Sequence, residues 1–71
     1  MSADQVVTAI ANANRDKART ELVTIGRELF GGTREPSVEE IERLAHAALE
    51  YLGRARAADV IERRATGAKP N

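Results

Sequence analysis

Apolar residues recur at helical spacing over two long stretches of the chain, and a short polar segment containing two glycines separates them. Between Ala3 and Phe30, residues placed at 100° intervals gather Val7, Ile10, Ala11, Ala18, Leu22, Ile25 and Leu29 into one sector. That is the stripe of a helix that buries one face. Ser2 followed three residues later by Gln5 predicts a capping box at its start, and only Gly26 interrupts it. The stripe has a waist: between Asn12 and Lys17 it offers Asn14 and no large apolar group, with Glu21 at its edge. Either the waist is solvated, or Asn14 is a buried group that fixes register in an oligomer.

Gly31 and Gly32 follow Phe30, so one of them can take the left-handed conformation that ends a helix, and Thr33 to Pro36 complete a polar loop. The clearest helix start comes next. Ser37 with Glu40 three residues on is a second capping box, and Pro36 keeps Glu35 out of the α region. The helix predicted over 38–52 carries Val38, Ile41, Ala45, Ala48, Leu49 and Leu52 on one face, with Glu39, Arg43, His46 and Glu50 on the other. Gly53 either ends it or is passed over. Residues 54–65 keep helical character with a weak stripe of Ala57, Ala58, Ile61 and Ala65, after which Gly67 and Pro70 stop the helix. A single helical domain over 1–66 and a flexible tail over 67–71 are the expected organisation.

The expected fold class is all-α. A helix over 3–30 and a collinear pair over 38–65 would each span about 42 Å. Folding about the loop sets Leu29 opposite Val38, Leu22 opposite Ala45, Ala18 opposite Leu49 and Ile10 opposite Ala57. This helical hairpin buries one seam, and two such hairpins complete a homodimeric four-helix bundle. The competing arrangement bends at Gly53 and lays a third helix across the first two, giving a three-helix bundle. In the dimer, Leu22, Ile25, Leu29, Phe30, Ile41 and Leu44 are the expected partner-binding residues.

Composition sharpens the case for a partner. A chain of 71 residues buries only roughly 60% of its unfolded surface, and this one has sixteen larger aliphatic or aromatic residues against thirteen alanines. Eleven basic and eleven acidic residues cancel, which argues against general attraction to nucleic acid or anionic membrane. The charge is uneven, however, with an acidic segment over 36–53 and a basic one over 54–71. No cysteine is present, the start lacks the basic and apolar regions of a signal peptide, and no apolar run is long enough to span a bilayer. A cytoplasmic protein is expected. Nine arginines to two lysines suit a GC-rich coding sequence, hence a bacterial or phage origin.

Little in the chain points to catalysis. His46 stands one turn from Glu42 and one from Glu50, a spacing able to hold a metal, but no second histidine or cysteine completes a zinc site. No glycine-rich loop follows a strand, and no serine has a base, so neither enzyme nor cofactor is expected. The leading expectation is a small non-enzymatic helical module for protein–protein interaction, with a regulatory or accessory role. One alternative reads helix, Gly53 and basic helix as a helix-turn-helix, with Arg54, Arg56, Arg63 and Arg64 binding DNA or RNA. Another rests on Thr24-Ile25-Gly26-Arg27-Glu28, which resembles the inhibitory helix of the small antitoxins of Fic toxins. In that family a Ser/Thr, three residues and Glu are followed by Gly or Asn, and the glutamate obstructs ATP in the toxin. The resemblance implies an inhibitory role for Thr24 and Glu28, while Leu29 departs from the family's pattern.

Overall fold

The computed structural model describes residues 2–67, and these form two antiparallel helices joined by one loop. Helix α1 is Ala3–Phe30 and α2 is Val38–Thr66. No strand occurs among the described residues. The expected third helix is therefore corrected: α2 runs for 29 residues through Gly53 without a break. A glycine inside a helix costs only about 1 kcal/mol relative to alanine, too little to outweigh the cooperativity of so long a helix. The expected tail beyond Gly67, including Pro70, lies outside the described residues.

Both helices begin as their sequences dictate. Ser2 Oγ accepts from the Gln5 amide at 3.2 Å while the Ser2 amide donates to Gln5 Oε1 at 3.0 Å. Ser37 and Glu40 repeat the pattern at the same distances. The second carboxylate oxygen of Glu40 accepts from Arg34 at 3.0 Å, so one side chain closes the α2 cap and pins the loop to it. The ends differ from expectation at one point. Gly31 caps α1 in the right-handed region at φ −84°, and neither loop glycine is left-handed. Its amide instead donates to the Arg27 carbonyl at 2.8 Å, and an added Cβ would lie 2.5 Å from that oxygen. Close approach, not backbone handedness, is what requires glycine there. At the end of α2, Gly67 takes φ 71° and closes the helix in the left-handed manner.

The seam between the helices is regular on both sides. On α1 the residues withdrawn from solvent include Thr8, Ala11, Arg15, Ala18, Leu22, Ile25 and Leu29, spaced alternately three and four apart. This is the 3.5-residue repeat that left-handed helix pairs use. On α2 the matching set is Leu44, Ala47, Ala48, Tyr51, Ala55, Ala58 and Ile61. The expected α2 face is thereby corrected. Val38, Ile41, Ala45, Leu49 and Leu52 all lie exposed, about 120° around the helix from the seam. Alanines line the inside because small side chains let the helices approach closely. Only Ala18, Leu29 and Ala58 are buried among the described residues.

The outcome is a slab one helix thick, with principal extents of 48 and 15 Å along its longest and shortest axes. It exposes 5757 Å², where a compact monomer of this mass exposes about 4,300 Å². Against an unfolded surface of about 11,200 Å², folding removes only about half, less than the roughly 60% typical of this length. Its radius of gyration is 15.9 Å, against about 11 Å for a compact domain of this length.

Two consequences are testable. A Cβ added at Gly53 would meet nothing within 4 Å, so Gly53→Ala should stabilise the protein by about 1 kcal/mol in denaturant unfolding; a loss would show that the helix bends there. The Ser37 amide, then Arg34 and the Ser37 hydroxyl, hold the Glu40 carboxyl down from 4.5 to about 2. A depressed folded pKa means stability present above 4.5 and lost as pH falls through about 2. The melting midpoint of the natural protein should therefore exceed that of Glu40→Gln at pH 6, and the two should converge near pH 2.

Candidate functional site

Most of the large apolar side chains left exposed gather in two places. On one side of the slab, near the loop, α2 presents Val38, Ile41, Ala45, Leu49 and Leu52, with Val23 and Phe30 of α1 beside them. Val38 is 74% exposed, Leu49 66% and Phe30 61%. Toward the open end of the hairpin and on the other side, Val7, Ile10, Ala11, Ala57 and Ile61 line a groove of about 330 Å³ closed off by Asn14 and Arg54. Ile10 is 56% exposed there. Large apolar side chains in contiguous patches on so small a molecule mark interaction surfaces.

The expected partner-binding residues divide between inside and outside. Leu29 is buried in the hairpin's own seam, and Leu22, Ile25 and Leu44 are half-buried in it. Phe30 and Ile41 stand on the exposed surface. Val38, Leu49 and Leu52, expected in the seam, belong instead to the outer patch. The signal that could have found them is size: a helix with one alanine-rich face and one leucine-rich face has two candidate seams, and close packing selects the smaller.

The waist of α1 is polar, but through other residues than expected. Asn14 is exposed, whereas Asn12 and Arg15 are half-buried. Thr8 Oγ1 and Asn12 Oδ1 are withdrawn from solvent without a hydrogen-bond partner. The open half of the seam is thus held by small and polar contacts, and the loop half by Leu22, Ile25, Leu29 and Leu44. Unpaired buried polar atoms cost about 1–3 kcal/mol each, which loosens that half further.

The four arginines of the basic stretch do not share one face. At 100° per residue Arg56 and Arg63 fall near the outer apolar stripe, Arg54 falls almost opposite them, and Arg64 lies on the back of the helix. Arg54 pairs with Glu50 at 3.5 Å and Arg63 with Asp59 at 3.1 Å, both one turn apart. The turn that a helix-turn-helix needs at Gly53 is absent, since α2 is continuous. Thr24 and Glu28, one turn apart, are both exposed on the side of α1 away from α2. His46 is exposed, and no group of three potential metal ligands occurs among the described residues. Among those residues, no helix is long and apolar enough to cross a membrane.

No protein-family model, curated protein or solved structure matches this chain.

Arginines scattered around the helix, two of them paired with carboxylates, predict weak phosphate binding. Fluorescence anisotropy with labelled duplex DNA at low salt should show no saturable binding below tens of micromolar protein; tight binding that falls steeply with salt would restore the nucleic-acid reading.

Proposed function

We propose that this is a non-enzymatic helical module whose work is to bind protein surfaces, in a regulatory or accessory role. The observation that carries this reading is the inversion of size across α2. Alanines make up four of the seven α2 residues in its seam with α1, while Val38, Ile41, Leu49 and Leu52 face outward. Rotating α2 by about 120° would bury those side chains within the hairpin. Burying a large aliphatic side chain contributes about 1.5–3 kcal/mol, so leaving four exposed is costly unless another surface covers them. Enzymatic chemistry lacks comparable support, since the groove between Ile10 and Ala57 is lined mainly by aliphatic residues and alanine. An inhibitor of a Fic-type toxin would be a special case that uses Thr24 and Glu28 on the opposite side of α1, not the apolar patches.

Site-specific photocrosslinking in cells tests the reading. A benzophenone side chain at Leu49 or Ile10 should yield covalent adducts with protein, whether a second copy or a different chain. The same group at the exposed Ala13 should yield few. Absence of adducts at both patches would overturn the interaction reading.

A further inference from the structure

The outer stripe of α2 has a symmetry that the seam lacks. Its members fall at 38, 41, 45, 49 and 52, with spacings of three, four, four and three. An antiparallel copy of the helix crossing it at Ala45 brings Val38 against Leu52 and Ile41 against Leu49, and Ala45 against itself. Every large side chain meets another, and the one small residue falls on the axis. This is the requirement of an isologous two-fold contact, in which residue i meets j and j meets i.

We propose that the protein pairs with a second copy of itself through this stripe, α2 against α2 and antiparallel, with the two-fold axis at Ala45. The proposal rests on the interaction-module reading and names its partner. Three observations favour a second copy over an unrelated protein. The pattern is self-complementary in position and in size. Alanine at the crossing point lets the helix axes approach to about 10 Å, which sets the facing Cα atoms about 5.4 Å apart and lets the flanking leucines and isoleucines interlock. The surface also suffices: the chain exposes roughly 1,400 Å² more than a compact monomer, against about 800 Å² per partner in a stable interface.

The stripe is about 21 Å long and stops at Arg56 and Asp59, which bound the contact on its C-terminal side. Because it is centred on residue 45 and not on the middle of α2, the two hairpins overlap over their loop halves. Val23 and Phe30 flank the contact from α1. The open ends, with their Val7, Ile10 and Ile61 grooves, project on either side and stay uncovered.

The chain has no cysteine, so single-cysteine variants of the full protein report the contact directly. Sedimentation equilibrium at tens of micromolar should give twice the 7.7 kDa of one chain. Under mild oxidation Ala45→Cys should form a covalent dimer at least roughly tenfold faster than Ala13→Cys or Ala57→Cys, since facing Cα atoms at the axis fall in the disulfide range of about 4.4–6.8 Å. A mixture of Ile41→Cys and Leu49→Cys should cross-link faster than either alone. Leu49→Lys should shift the mass to that of one chain.

A folded species of 7.7 kDa would overturn self-pairing while leaving the interaction reading intact, because adducts with a different protein at Leu49 remain its test. A dimer in which Ala57→Cys links fastest would overturn this interface in favour of the open-end groove. Faster self-linking of Ile41→Cys than of the mixture would overturn the antiparallel arrangement.

Discussion

The contact between α1 and α2 is the sole packing between secondary-structure elements among the described residues, and the rest of the molecule depends on its closeness. Ala18 and Ala58 are buried at it because neither helix could approach with a larger side chain there. Once alanines occupy the inside, the aliphatic residues of α2 have nowhere to go but outward. The slab shape, the large exposed area and the outer stripe all follow from that one choice of seam.

The seam is also uneven along its length. Near the loop it is closed by Leu22, Ile25, Leu29 and Leu44, and the loop itself is pinned by Arg34 on the carboxylate that caps α2. Toward the open end, Thr8, Asn12 and Arg15 meet an alanine-rich stretch of α2. Dispersion and apolar burial scale with side-chain size, so the loop half is much the stronger. The outer stripe lies over the same strong half, which gives it a firm backing.

Much of this was legible in the residues. The two capping boxes, the bounds of α1 and the start of α2 are local signals, decided by side chains within three positions of each other. The choice between Gly53 as a bend and as a continuation was not legible, because the glycine penalty is smaller than the stability of the helix on either side. The rotation of α2 escapes sequence reasoning for a different reason. Its sequence carries two apolar stripes, and periodicity ranks the leucine-rich one first although close packing favours the other. Handedness at Gly31 was likewise open, since the need for glycine there comes from the Arg27 carbonyl, a neighbour only in the folded turn. Of the candidate site, Phe30 and Ile41 are visible from sequence, whereas Val38, Leu49 and Leu52 needed the fold.

The hairpin's connectivity has a kinetic side. Residues of α1 lie near the α2 residues whose numbers complement theirs to about 68–70, as Val7 does with Ile61 and Gly26 with Leu44, so the loop-proximal contacts close the shortest chain segments and the open-end contacts the longest. Loop-closure entropy grows with segment length, and the shortest closures also join the largest side chains. Assembly should therefore start at the loop and proceed outward like a zip, and native-state opening should retrace it from the Thr8 and Asn12 end. Amide exchange would then be slowest around Leu29 and Leu44 and fastest near the start of α1, so that the groove at Ile10 is carried by the part of the molecule that opens first.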